Sequence, residues 1–112
     1  MTLSTHVLDT STGRPAGGLQ VELATRDAAG TWQPVCAGET NADGRVPALR
    51  PPGASLSGGH FRLSFDVAAY FSRRGVETFY PAVTVEFLAH DEGHYHVPLL
   101  VSPYGYSTYR GS

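Results

Sequence analysis

The sequence contains a single cysteine, Cys36, and no long apolar run, and each shortage excludes a class of protein. One cysteine cannot form an intrachain disulfide. No apolar stretch approaches the roughly 20 residues that a membrane-spanning helix needs. The first residues also lack the charged and apolar segments of a secretory leader. We therefore expect a protein of the cytoplasm that does not span a membrane.

Charge is also scarce, because only 16% of the 112 residues are charged and the formal net charge is −2. Such a chain has no basic field to attract nucleic acid or anionic lipid. We expect neither nucleic acid nor a membrane as a partner. With 41% hydrophobic residues, the chain is long enough to bury a core of its own. This composition predicts one globular domain over residues 1–112.

Apolar and polar residues alternate with a period of two in several segments, separated by Gly, Pro, Asn and Asp. This period predicts strands that bury one face. One segment breaks it: Asp66 and Gly75 flank residues 67–74, as expected for the cap and the stop of a helix of about two turns. Residues 41–44 predict a turn, and residues 44–49 a short edge strand. The pattern as a whole predicts an all-β, two-sheet sandwich with one short helix.

Residue parity predicts which side chains of two strands face outward. Alternate residues of the late strand form an apolar row that must face the core: Tyr95, Val97, Leu99 and Val101. The opposite faces of the first and late strands then carry Ser4, His6, Leu8, His94, His96, Pro98 and Leu100. This outer face is too apolar to leave in water, so we expect it to associate with further copies of the chain rather than to be a tolerated patch.

The sequence ends in Tyr-Arg-Gly-Ser, which places a phenol, a guanidinium, a hydroxyl and a terminal carboxylate together. Chain ends usually fray, but this one follows residues 97–109, an apolar and aromatic run typical of a paired strand. Polar and charged groups on a chain end that a strand holds in place suggest a functional site.

Four separated motifs occur in residues 4–16, 40–45, 94–100 and 102–112, and they include His-Val-Leu-Asp, Asn-Ala-Asp-Gly-Arg, His-Tyr-His-Val-Pro and the Tyr-Arg-Gly-Ser ending. Their order resembles the 5-hydroxyisourate hydrolases, the transthyretin-like enzymes of purine catabolism. The resemblance covers the whole chain. Transthyretin itself, the hormone carrier of the same fold, lacks that ending, the two histidines and the arginine.

The resemblance implies a transthyretin-like β-sandwich that forms a homotetramer, a dimer of dimers, with active sites in a channel between dimers. It implies a small-molecule substrate, the oxidised purine 5-hydroxyisourate, and hydrolysis without a metal or other cofactor. The residues carried over as catalytic are His6, Arg45, His96 and Ser112. Those carried over as substrate-binding are His6, Arg45, Tyr109, Arg110 and Gly111.

These residue types suit the addition of water to an electron-poor ring carbonyl. Histidine takes up protons near neutral pH, so we assign water activation to His6 and His96 without deciding which is the base. Arg45 would stabilise negative charge that develops on oxygen, and Ser112 would orient the water or a histidine. No Gly-x-Ser-x-Gly motif is present to suggest a covalent intermediate.

Three alternatives remain open. A carrier would bind a small aromatic ligand in the same channel without turnover, although the histidines and the arginine argue against a purely apolar ligand. If the protein were a non-catalytic scaffold, the outward polar side chains and the polar chain end would lie together only by coincidence. A zinc site could draw on His90, Asp91, His94 and His96, but their spacing is unfavourable, because His90 lies in or before a turn, and we expect no metal.

Overall fold

In the computed structural model, which describes residues 1–112, two sheets pack face to face around one apolar cluster. The strands are β1 (Thr2–Asp9), β2 (Arg14–Pro15), β3 (Gln20–Arg26), β4 (Trp32–Glu39), β5 (Arg45–Val46), β6 (Gly59–Phe65), β7 (Val83–Ala89), β8 (His94–Ser102) and β9 (Gly105–Thr108), and the helix is α1 (Val67–Ser72). The prediction of an all-β sandwich with one short helix is confirmed.

The first sheet has the strand order β2-β1-β8-β9, and β5 also pairs with β1. The second sheet has the order β4-β3-β6-β7. Strands β1 and β8 run parallel, with Ser4 beside His96 and His6 beside Pro98. Strand β5 runs antiparallel to β1 and places Arg45 opposite His6. Residues from three sequence-distant segments therefore meet on one face of the first sheet.

The predicted inward parity of β1 and β8 is confirmed, since Val7 and Leu99 are completely buried in the core. The outward face differs from the prediction in its apolar part. Pro98 is buried, and Leu8 and Leu100 are half-buried within the single chain. Pro98 lies on β8 between β1 and β9 and beside His6 of β1, so neighbouring strands flank it on both sides.

Two elements are shorter than the sequence predicts. Helix α1 ends at Ser72 instead of residue 74, although Asp66 caps its start and Gly75, with a φ of 69°, follows its end as predicted. Strand β5 has two residues, because it stops before Pro47, which has no N–H to give to a sheet ladder. With six residues, α1 is far too short to cross a bilayer, and the structure has no other helix.

The predicted turn before β5 is present and is closed by Asn41. Its side-chain Oδ1 accepts a hydrogen bond from the main-chain N–H of Arg45 at 3.0 Å. Gly44 has a φ of 74°, and a Cβ at this position would lie 2.5 Å from the carbonyl oxygen of Val7. Only glycine fits there, and the close approach holds Arg45 against β1.

Candidate active site

The outer face of the first sheet carries a cavity of about 400 Å³ where β1, β5 and β8 meet the C-terminal residues. Its lining is mostly polar and consists of Ser4, Thr5, Arg45, Pro47, His94, His96 and Ser112. Three of the four residues predicted as catalytic are among them. The fourth, His6, is half-buried beside the cavity, opposite Arg45 in the strand ladder.

The C-terminal residues are held against the imidazole of His96. The main-chain N–H of Gly111 donates to the carbonyl oxygen of His96 at 2.8 Å, and the two residues form an isolated antiparallel bridge. A Cβ on Gly111 would lie 2.5 Å from Cδ2 of His96. The absence of a side chain at this position therefore lets the main chain lie against the ring and brings Ser112 to the cavity.

Tyr109 and Arg110 lie elsewhere in the single chain. Both line a second cavity of about 320 Å³, together with residues of β7 and the core-facing Tyr95. The guanidinium carbon of Arg110 lies 4.7 Å from the centre of the Tyr95 ring. The resemblance implies that Tyr109 binds substrate, but β9 ends at Thr108, so the alternation of the strand does not extend to Tyr109. The structure does not bring these two side chains to the cavity of His96, and their role in substrate binding stays a prediction.

The environment of His96 favours its neutral form. Burial lowers its pKa below the ordinary value of 6.5, and the neighbouring Arg45, His6 and His94 lower it further. A neutral imidazole keeps a lone pair on one nitrogen. His96 is therefore able to accept a proton at neutral pH.

Of the four cavity residues that were not predicted as site residues, two, Ser4 and His94, are hydrogen-bonded to each other. The hydroxyl of Ser4 lies 2.8 Å from Nδ1 of His96 and 3.1 Å from Nε2 of His94. Parity already placed both residues on the outer face, and each begins one of the motifs, but neither was carried over as a site residue. Their importance follows from the parallel register of β1 and β8, which the sequence does not show.

The structure has no group of three or more His, Cys, Asp or Glu side chains that could hold a metal ion. Among the residues considered for zinc, His94 and His96 share the first cavity, and His90 lines the second one. Asp91 accepts a hydrogen bond from the main-chain N–H of Gly58. The four residues considered for zinc therefore do not line one common cavity.

The model of the HIUase/Transthyretin family matches residues 3–111. The chain belongs to this family. A 5-hydroxyisourate hydrolase from Mus musculus is 45% identical over 112 residues, which cover 98% of this chain and 94% of the mouse protein. A relative with the same name from Deinococcus radiodurans is 46% identical over 114 residues, covering 98% of this chain and 95% of the relative.

Solved structures of family members with two different names resemble the chain. The 5-hydroxyisourate hydrolase of Klebsiella pneumoniae has a TM-score of 0.87 and 38% identity, with full coverage of both chains. Sea bream transthyretin in complex with thyroxine has a TM-score of 0.90 and 33% identity, covering 97% of this chain and 93% of that chain. Backbone likeness therefore does not separate enzyme from carrier in this family. The distinction has to come from the side chains of the cavity.

Replacing Arg45 with glutamine is expected to raise the pKa of His96 towards its ordinary value, because a nearby positive charge is removed while burial stays. NMR titration of the His96 ring measures this shift without any substrate. The control is Arg50→Gln, which removes an exposed arginine that does not line this cavity. An unchanged pKa in Arg45→Gln, or an equal rise in both variants, would contradict the electrostatic account of the site.

Proposed function

We propose that this chain hydrolyses 5-hydroxyisourate to 2-oxo-4-hydroxy-4-carboxy-5-ureidoimidazoline in urate breakdown. The observation that carries the proposal is the polar cavity in which His96, Arg45 and the C-terminal Ser112 meet, with His6 beside it. The relatives from mouse and Deinococcus radiodurans that carry the name of this activity support the choice of substrate. The charged and titratable residues suit a polar substrate with ring carbonyls better than a purely apolar ligand.

In the proposed reaction, a water molecule adds to a ring carbonyl of the substrate. A histidine takes one proton from the water as its oxygen bonds to the carbonyl carbon. The adjacent C–N bond then breaks, and a proton returns to the leaving nitrogen. His96 suits the role of base because its lowered pKa keeps it neutral. We propose that His6, on the neighbouring strand, takes part in the return of the proton.

Arg45 is proposed to stabilise the negative charge that develops on the carbonyl oxygen. Its guanidinium has fixed donors, and one preorganised donor of this kind can contribute about 3 kcal/mol to a transition state. Ser112 would orient the water or a histidine through its hydroxyl or carboxylate. Gly111 contributes by its lack of a side chain, and we propose that Tyr109 and Arg110 contact substrate in the assembled protein.

We further propose that residues 1–112 form a single domain that assembles as a homotetramer, a dimer of dimers. The edge strands β7 and β9 each leave one side without a partner strand, and unpaired edges are ready sites for pairing with another chain. These strands also carry exposed apolar side chains, with Leu88 76% and Tyr106 45% exposed. The half-buried Leu8 and Leu100 add apolar surface on the face of the active site.

We propose the cytoplasm as the location of this reaction. Cys36 is a free, half-buried thiol, and burial raises its pKa, which makes it a poor nucleophile. An unpaired cysteine of this kind fits a reducing compartment, where disulfides are rare.

His6→Ala and His96→Ala are each expected to lower the rate of turnover by ~100- to 10,000-fold, the usual contribution of positioned proton transfer. The measurement is the loss of absorbance of freshly generated 5-hydroxyisourate, corrected for its spontaneous decay. His90→Ala serves as a control, because that exposed residue lies outside the first cavity. Rates like those of the parent in both site variants would remove these histidines from the mechanism.

Gly111→Ala is expected to lower turnover by roughly 100-fold, because its methyl group would displace either the C-terminal residues or the His96 ring by about 1 Å. Gly105→Ala is the matched control, since a Cβ there meets its nearest neighbour, Oγ of Ser102, at an ordinary 3.7 Å. Both variants are compared with the parent in the same assay. Equal activity of Gly111→Ala and the parent would show that close packing of the tail on His96 is not needed.

Light scattering of the purified protein is expected to give a mass near four chains, because both free sheet edges and the face of the active site offer contact surface. The measurement is made at the protein concentrations used for the turnover assay. A monomer with full activity would contradict the proposed assembly.

A further inference from the structure

A continuous hydrogen-bonded chain leads from the surface of β1 to the imidazole of His96. Oγ1 of Thr2 lies 2.6 Å from Nδ1 of His94, and Nε2 of the same ring lies 3.1 Å from Oγ of Ser4. The Ser4 hydroxyl lies in turn 2.8 Å from Nδ1 of His96. These contacts alternate between β1 and β8, and they use both ring nitrogens of His94.

The single proton of the Ser4 hydroxyl allows only two arrangements of this chain when both rings are neutral. A hydroxyl donates one hydrogen bond, so Ser4 donates either to His96 or to His94 and accepts from the other. In the first arrangement Nδ1 of His96 is the acceptor and Nε2 carries the proton. In the second, Nδ1 of His96 carries the proton, and the lone pair of Nε2 is free to act as a base.

In both arrangements Nδ1 of His96 is taken up by the Ser4 hydroxyl, at 2.8 Å, so Nε2 is the nitrogen left to exchange protons. The Ser4 hydroxyl is itself held by Nε2 of His94, and that ring by Thr2. The orientation of the His96 ring therefore depends on residues that do not belong to the predicted site.

We propose that Ser4 and His94, with Thr2 behind them, are positioning residues that hold Nδ1 of neutral His96 and leave Nε2 as the nitrogen that exchanges protons. The use of Nε2 in a reaction rests on the proposed function, but the contact at Nδ1 does not. His6 lies outside this chain of contacts.

The direct test is the ring ¹⁵N spectrum of His96 in the assembled protein, without substrate, at a pH where the ring is neutral. We expect one predominant tautomer in the parent, fixed by the hydrogen bonds that end at Nδ1. In Ser4→Ala the signals of both nitrogens are expected to move towards the average of a tautomer mixture, since the hydroxyl partner of Nδ1 is gone. A mixture of tautomers in the parent would overturn the inference, as would an unchanged spectrum in Ser4→Ala.

The kinetic test separates positioning from folding. Ser4→Ala and His94→Ala are expected to lower kcat by ~10- to 100-fold, as misdirected catalytic groups do, with little change in KM. Ser4→Thr keeps the hydroxyl and is expected to restore most of kcat. The control is Thr10→Val, which removes a hydroxyl that bonds the Val101 carbonyl of β8 without touching a histidine. A kcat like that of the parent in Ser4→Ala, or an equal loss in Thr10→Val, would refute the positioning role.

The two readouts also separate failure of this inference from failure of the proposed function. If the parent does not turn over 5-hydroxyisourate but its His96 has one tautomer that depends on Ser4, the proposed function fails and the hydrogen-bonded chain stands. If the parent is active and Ser4→Ala leaves the His96 spectrum and kcat unchanged, the inference fails and the proposed function stands.

Discussion

The parallel pairing of β1 with β8 is the constraint on which the rest of the site depends. It joins the two ends of the sequence over eight residue pairs, from Thr2 with His94 to Asp9 with Val101. Inward residues of both strands enter the core, and the burial of Val7 and Leu99 prevents a slip of the register. A slip of either strand by one residue would turn its own histidine, His6 on β1 or His96 on β8, into the core. Core packing and site geometry are therefore set by the same pairing.

Strand β5, the C-terminal residues and burial all determine the environment of the His96 ring. Arg45 lines the same cavity as His96, because the turn at Asn41 and the close approach of Gly44 hold β5 beside β1. Ser112 reaches the cavity because Gly111, which precedes it, has no side chain to collide with the His96 ring. Burial and neighbouring positive charge both disfavour the protonated form. Because the backbone is shared with sea bream transthyretin, the polar cavity matters more to the functional conclusion than the backbone likeness does.

Local patterns in the sequence determined much of the fold. Alternation predicted the sandwich, Asp66 and Gly75 marked the helix, and the turn before Arg45 was expected from its composition. Such features are visible because they depend on neighbours a few residues apart. Parity also placed His6 and His96 on the outer face, and motifs resembling those of the hydrolases singled out Arg45 and Ser112. Helix and strand ends were less accurate, since Pro47 and the closing turn at Gly75 act at the boundary itself.

Only the tertiary structure decided which of these residues meet. No local pattern shows that β1 and β8 pair in parallel, so the contacts of Ser4 with His94 and His96 could not be predicted. The position of Tyr109 depended on where β9 ends, and Pro98 is buried because β1 and β9 flank its strand. The sequence by itself determined the faces of the strands, because side-chain alternation is a property of each strand alone. Register and neighbours were decided by packing between strands, because hydrogen bonds and burial across long sequence separations choose among many possible pairings.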